Sequence, residues 1–178
     1  MESLYFIAIV PPADIQDEIT KLKHEVADKY DSKHALRSPP HITLHMPFKW
    51  KDKRFFELEG VMKKLNDGLN PFRTELKGFD FFEPRVVFVN VVDNEDLNQL
   101  QKQVVDLCRK ELKLDNANYK NRPFHPHVTI AFRDLKKPIF YEAKKEFELR
   151  KVGFEFRVEK VALLKHDGMK WNVVVFGD

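Results

Sequence analysis

Cysteine is nearly absent from this sequence, which contains Cys108 and no other cysteine among its 178 residues. A lone cysteine excludes a disulfide bond within the chain and any zinc site built from four cysteines. Its apolar neighbours favour a buried structural thiol over a nucleophile. The Gly-x-Ser-x-Gly turn of many serine hydrolases is missing too. The sequence therefore indicates neither a serine nor a cysteine nucleophile.

Long apolar runs and a strong charge of one sign are also missing. Residues 4–12 form an apolar stretch that is too short to cross a bilayer. No basic segment or small-residue cleavage site of a secretory leader accompanies it. The net charge is +3 and the isoelectric point is about 8.8, which suits an anionic ligand but not a protein that coats duplex nucleic acid. With no signal for an oligomer either, we expect a cytoplasmic monomer without a membrane partner.

What the chain does contain is a short motif that occurs twice. His41 and Thr43 belong to one Pro-His-x-Thr-aliphatic segment, and His127 and Thr129 belong to another that lies 86 positions later. With seven histidines and four threonines in the chain, two such pairs arise by chance in roughly one sequence in a hundred. Side chains alternate between the two faces of a strand. Each histidine should therefore share a face with its threonine while the aliphatic residues point into a core.

These four side chains suit acid–base chemistry on a phosphodiester. One group must take a proton from the nucleophile and another must protonate the leaving oxygen, and histidine can do either near neutral pH. Threonine hydroxyls along the same strands can donate hydrogen bonds to the non-bridging oxygens, where negative charge develops. We therefore predict His41 and His127 as the acid–base pair, with Thr43 and Thr129 as phosphate ligands.

A metal site is the main alternative interpretation of the histidines. His125 and His127 form a His-x-His pair, and His41 and His45 stand four residues apart. On a strand, however, residues four apart are separated by about 13 Å, which is too far to share one ion. Neither motif contains an acidic residue as a third ligand. We therefore predict no metal and no cofactor.

Four further residues are candidates for contacts with a substrate. Arg133 follows the second motif and could hold a phosphate, and Lys165 lies near the tip of a predicted hairpin. Phe6 and Phe48 could stack on a base. A solvated surface charge for the first two and core packing for the aromatic pair are the competing interpretations.

The order of predicted elements suggests two matching halves. The first half contains a strand at residues 4–10, a helix with an apolar face from Asp14 to about Tyr30, and then the first His-x-Thr strand. The same order returns later, with a strand at residues 85–92, a helix from Asn94, and the second His-x-Thr strand. We predict one α+β domain of two lobes, with pseudo-repeat halves at residues 1–82 and 83–178 related by an approximate two-fold axis.

The paired motifs resemble those of the 2H phosphoesterase superfamily. The chain is most similar to its bacterial 2′-5′ RNA ligase / RNA 2′,3′-cyclic phosphodiesterase branch, through residues 6–9, both motifs, residues 78–89 and residues 161–164. The resemblance implies antiparallel sheets that line a central cleft, helices outside, and no required metal. It also implies that His127 is the base and His41 the acid. The chain departs from the family pattern at residues 46–48 and at Phe132, where an arginine is common.

We therefore predict a metal-independent phosphoesterase that acts on 2′,3′-cyclic phosphate or 2′-5′-linked ends of RNA or small nucleotides. The same residues would also serve the reverse reaction, 2′-5′ ligation. The alternative, motivated by the departures at the substrate rim, is a non-catalytic module that binds nucleotides or RNA in the same cleft.

Overall fold

The computed structural model describes residues 1–176, which form two four-stranded antiparallel sheets with helices packed against them. The strands are β1 (Glu2–Ile9), β2 (Ile42–Lys51), β3 (Phe72–Phe82), β4 (Val86–Val91), β5 (His127–Ala131), β6 (Gly153–Val158), β7 (Ala162–His166) and β8 (Trp171–Phe176). The helices are α1 (Ala13–Tyr30), α2 (Phe55–Asp67), α3 (Glu95–Leu107) and α4 (Lys137–Phe147). The predicted α+β class is confirmed.

Several helix signals in the sequence act as expected. The apolar face of α1 is buried, and α3 begins after Asn94, whose side chain accepts a hydrogen bond from the Leu97 amide at 3.1 Å. The start of α1 differs from the prediction, because the helix begins at Ala13 and Asp14 lies inside its first turn. A carboxylate there is stabilised by the positive end of the helix dipole without acting as the cap.

The two sheets share the same arrangement around the motif strands. The first sheet has the order β2-β1-β7-β8, and the second has the order β5-β4-β3-β6. Each motif strand is thus an edge strand that pairs with the strand before the preceding long helix. The two edge strands β2 and β5 contact each other. This contact brings the two motifs to one place.

The sheets do not follow a division of the chain at residue 82. Strand β3 precedes that position but lies in the second sheet, where it pairs with β4 and β6. Strands β7 and β8 follow it but belong to the first sheet. Each sheet therefore combines strands from both parts of the chain.

The first sheet carries apolar side chains on both faces. Ile7 and Ile9 of β1 lie in the main core, whereas Phe6 and Ala8 alternate with them on the opposite face. The cluster on that opposite face, here called the cleft-face cluster, consists of buried Phe6, Ala8, Ala162 and Leu164 with partly buried Val10, Trp171 and Val173. Within residues 1–176, no helix combines the length and the apolar composition needed to cross a membrane.

Candidate active site

The first motif presents its histidine and threonine on the cleft face. Ile42 is fully buried in the main core, while Thr43 lies opposite Ala8 of β1 and so shares its face. The Nδ1 atom of His41 donates a hydrogen bond to the Pro39 carbonyl at 2.8 Å. Because that carbonyl can only accept, the neutral imidazole carries its proton on Nδ1 and leaves the Nε2 lone pair free. The ring rests 4.7 Å from the ring of Phe6.

The second motif repeats this arrangement in the second sheet. His127 donates from Nδ1 to the His125 carbonyl at 2.6 Å, again two residues upstream. Thr129 lies opposite Phe88 of β4. The rings of Phe82 and Phe88 each lie 5.0 Å from the His127 ring and pack around it. Both imidazoles are therefore held by a backbone carbonyl and an aromatic neighbour, with Nε2 free for chemistry.

The environment keeps both imidazoles neutral at neutral pH. Burial lowers the pKa of His41 to about 4; the Pro39 carbonyl opposes this shift, and the nearby charges of Lys23 and His127 add to it. Burial also lowers the pKa of His127, against a smaller opposing effect of its hydrogen bond to the His125 carbonyl. A bound phosphodiester anion would raise both pKa values by attraction, so that substrate binding and proton uptake are coupled.

Lys23 is a site residue that the sequence interpretation missed. It lies on α1 with only 2% of its surface exposed, and its Nζ donates to the carbonyls of Ala35 and Ser38, both at 2.8 Å. Burial lowers its pKa to about 7. The Ser38 carbonyl directly precedes Pro39, the partner of His41. A lysine within the apolar face of a predicted helix was the signal that could have found it.

Asp134 joins the segments that lead into the first motif and out of the second. Its Oδ1 accepts from the Ser32 hydroxyl at 2.7 Å, and its Oδ2 accepts from the amides of Lys33 and His34 at 2.8 and 2.9 Å. Burial alone would raise the pKa of this carboxyl, but these hydrogen bonds lower it overall. The neighbouring Arg133 is exposed, has φ +65°, and holds its guanidinium 5.3 Å from the Phe132 ring.

Two of the four predicted substrate contacts lie on the face of the first sheet opposite to that of Phe6 and Thr43. Phe48 and Lys165 are both paired with Tyr5 of β1, and residues directly opposite share a face. Tyr5 and Phe48 are buried in the main core, and the Lys165 ammonium lies 5.6 Å from the Tyr5 ring and 3.5 Å from Asp52. The structure thus brings Phe6 to His41, but it does not bring Phe48 or Lys165 there.

The remaining histidines and the cysteine do not assemble a further centre. His45 is 1% exposed, donates from Nδ1 to the Met46 carbonyl at 2.8 Å, and packs against Phe48 rather than beside His41. In the described part of the chain, no three histidine, cysteine, aspartate or glutamate side chains converge as metal ligands. Cys108 is fully buried, as predicted, and burial raises the pKa of its thiol to about 12.

Known proteins share this arrangement over nearly the whole chain. A family model described as the 2′-5′ RNA ligase superfamily matches residues 11–170. A protein of Geobacillus sp. strain WCH70 that carries a provisional phosphoesterase name is 29% identical over 172 residues, which cover 95% of this chain and 92% of that protein.

Solved structures with low sequence identity show the same fold. The structure of E. coli LigT complexed with 3′-AMP matches with a TM-score of 0.71 at 18% identity, covering 99% of this chain and 97% of that one. The protein TT0787 of Thermus thermophilus matches with a TM-score of 0.67 at 20% identity, covering 98% and 96%. The chain therefore belongs to the 2′-5′ RNA ligase superfamily of 2H phosphoesterases, as its paired His-x-Thr motifs suggested.

Proposed function

We propose that this protein is a metal-independent phosphoesterase that opens 2′,3′-cyclic phosphates at the ends of RNA or small nucleotides. The observation that carries the proposal is the matched presentation of His41 and His127. Each imidazole has Nδ1 tied to a carbonyl and a free Nε2, and each shares its face with a threonine hydroxyl. Structures of LigT, which shares this fold, are complexed with 3′-AMP, ATP and NADP⁺, and their common feature is a nucleotide.

The hydrolysis uses one imidazole as base and the other as acid. Water attacks the phosphorus while the base takes its proton at Nε2. The bond from phosphorus to the 3′-oxygen breaks, and the acid gives its Nε2 proton to that oxygen, so that a 2′-phosphate and a 3′-hydroxyl result. The hydroxyls of Thr43 and Thr129 donate to the non-bridging oxygens. The same steps, with a 5′-hydroxyl in place of water as the nucleophile, would form a 2′-5′ linkage and a free 3′-hydroxyl.

The surroundings of His41 favour a different assignment from the one expected by analogy. Burial brings the pKa of His41 down to about 4, and the charges of Lys23 and His127 act in the same direction, so the neutral form that a base requires is strongly favoured. We therefore propose His41 as the base and His127, protonated when the phosphate binds, as the acid. Only the acid becomes dispensable when the leaving group needs no proton.

The test is turnover of 2′,3′-cyclic nucleotides and of RNA with a cyclic-phosphate end, in the presence of a chelator. The substitutions His41→Ala and His127→Ala should each lower kcat by about 10²-fold or more. On an aryl phosphodiester with a good leaving group, His127→Ala should recover much of the lost rate and His41→Ala should not. His24→Ala, a change at an exposed residue of α1, is the matched control. Near-normal rates in both motif variants would overturn the proposal.

A non-catalytic nucleotide-binding module is the second candidate. It is favoured by the departures from the family pattern at residues 46–48 and Phe132, and by the burial of Phe48 in the main core. The same panel distinguishes the two candidates, because calorimetric binding of nucleotides without turnover of any cyclic phosphate would select the module.

A further inference from the structure

Trp171 stands next to the acid–base pair without belonging to it. The ring of Phe6 lies 4.7 Å from the His41 ring and 4.6 Å from the Trp171 ring, so that one aromatic ring separates the indole from the catalytic imidazole. A nucleobase is likewise separated from its phosphate by one sugar ring. Trp171 is therefore close enough to His41 for its indole to contact the base of a nucleotide whose phosphate lies between the histidines.

Trp171 is less enclosed than the other tryptophan of the chain. The indole belongs to the cleft-face cluster and is only partly buried, whereas the other tryptophan, Trp50, is 7% exposed and lies in the main core. Its two aromatic contacts, with Phe6 and His166, have interplanar angles of 72° and 66°. Neither contact is therefore a parallel stack on the indole, and small Ala8 and Ala162 belong to the same cluster.

His166 adds a polar group at the same position. Its ring lies 4.9 Å from Trp171, and its Nδ1 accepts a hydrogen bond from the Gly168 amide at 3.2 Å. The neutral imidazole therefore carries its proton on Nε2 and can donate it to a ring nitrogen or carbonyl of a base.

The hairpin between β7 and β8 holds both side chains in place. Asp167 Oδ1 accepts from the amides of Met169 and Lys170 at 2.9 and 2.8 Å, and its Oδ2 accepts from the Asn172 side chain at 2.8 Å. Gly168 has φ +99°, which a residue with a side chain rarely adopts. A turn fixed in this way positions Trp171 and His166 before any ligand binds, which reduces the entropy lost on binding.

We propose that Trp171 and His166 form a nucleobase subsite, in which the base stacks on the indole and accepts a hydrogen bond from His166 Nε2. This inference rests on the proposed function, because it assigns the phosphate of the same ligand to His41 and His127. It names the substrate class as base-bearing phosphodiesters, in preference to cyclic phosphates of simple polyols. Stacking accepts any base, since every base has a π face.

Fluorescence tests the subsite without requiring turnover. Wild type and Trp171→Phe are titrated with 2′-AMP and with inorganic phosphate, and binding is followed in parallel by calorimetry. We expect 2′-AMP to quench tryptophan emission in the wild type and not in the variant, in which only buried Trp50 remains. Inorganic phosphate should compete with 2′-AMP without quenching. Calorimetric binding of 2′-AMP with unchanged wild-type emission would overturn the subsite.

Kinetics supply the second readout. Trp171→Ala should lower the preference, in kcat/KM, for a 2′,3′-cyclic nucleotide over the base-free glycerol 1,2-cyclic phosphate by about 5- to 100-fold, mainly through KM, as expected for a lost base–aromatic stack. Trp171→Phe should restore most of that preference, and Trp50→Phe is the matched control. A wild type that hydrolyses both substrates equally, with no effect of Trp171→Ala, would refute the subsite and leave the phosphoesterase intact. Quenching by 2′-AMP without turnover of any cyclic phosphate would support the subsite and refute the phosphoesterase.

Discussion

The imidazoles of His41 and His127 are oriented by backbone carbonyls rather than by acidic side chains. A carboxylate partner would raise the pKa of each imidazole strongly, whereas a neutral carbonyl leaves burial as the largest influence. The histidines are therefore neutral in the free protein and gain affinity for a proton only when an anion enters. In the proposed reaction, such a site would form its acid only when the phosphate binds.

Lys23 is expected to act on catalysis through His41 as a positioning residue. Its ammonium fixes the carbonyls on either side of residues 36 and 37, and its charge lowers the pKa of His41. Lys23→Met should lower kcat by about 10-fold or more, since small displacements of catalytic groups are costly. It should also move the acidic limb of the kcat/KM profile to higher pH, because removal of a positive neighbour raises the pKa of His41.

The pH profile separates this effect from a loss of stability. Lys23→Met leaves two carbonyls without their donor, so some loss of stability is expected in any case. Lys23→Arg keeps the charge and should keep the acidic limb close to that of the wild type. Lys21→Met, at an exposed lysine of the same helix paired with Glu18 at 2.8 Å, should change neither quantity. A lower melting temperature with an unmoved pH profile would show that Lys23 is only structural.

At the scale of elements, the sequence patterns correctly predicted the features that depend on residues close together in the chain. The alternation around His41 and His127 is confirmed, because Ile42, Leu44, Val128 and Ile130 are fully buried while the histidines and threonines are partly exposed. The face of α1 and the cap of α3 are likewise local features. Each depends on residues within a few positions of one another.

The pairing between strands that are distant in sequence could not be predicted from those patterns. Phe48 and Lys165 share a face with Tyr5 only because β2 and β7 pair with β1 in one register, with two irregularities between β1 and β2. The unusual position of Lys23 could be read from the sequence, but its contact with the segment before His41 depends on how α1 packs, and the position of Trp171 depends on the pairing of β8 in the first sheet. A shift of one residue in such a register exchanges the two faces, so alternation alone cannot assign them.

Asp134 connects the segment after the second motif to the segment before the first. We expect the removal of its side chain to destabilise both segments. Asp134→Ala removes three hydrogen bonds that join the end of the second motif to residues 32–34, and should lower the free energy of unfolding by about 1–2 kcal/mol. Ser32→Ala removes one of the three and should cost less. Urea denaturation measures both, with Asp28→Ala, at an exposed residue of α1, as control. Equal stability of Asp134→Ala and wild type would contradict this role.

At the scale of the whole molecule, the sheets are interlocked by the course of the chain. The first sheet takes β7 and β8 from the C-terminal part, and the second takes β3 from the N-terminal part. The motif strands β2 and β5 are then edge strands in contact with each other. The site therefore forms only in the complete fold. Because folding lowers the pKa of its histidines, their protonation also affects the free energy of unfolding.

That link predicts a loss of stability in mild acid. Burial lowers the pKa of His41 to about 4 and also lowers the pKa of His45 and His127, whereas the same groups in the unfolded chain titrate near 6.5. Between pH 6.5 and about 4 the unfolded state therefore binds more protons, and the free energy of unfolding falls as the pH falls. His41 alone can account for at most about 3 kcal/mol of this loss.

Urea denaturation at a series of pH values from 6.5 to 4 checks the prediction. The wild type should lose stability steadily below pH 6.5, and His41→Gln should lose less over the same range because its amide does not titrate. His24→Gln, at an exposed histidine of α1, should follow the wild type. Lys23, whose pKa burial lowers to about 7, contributes a separate loss between its ordinary pKa near 10.5 and pH 7, so the comparison starts below that interval. A wild type with constant stability from pH 6.5 to 4 would mean that folding does not lower the pKa of His41, and the coupling of proton uptake to phosphate binding would fail with it.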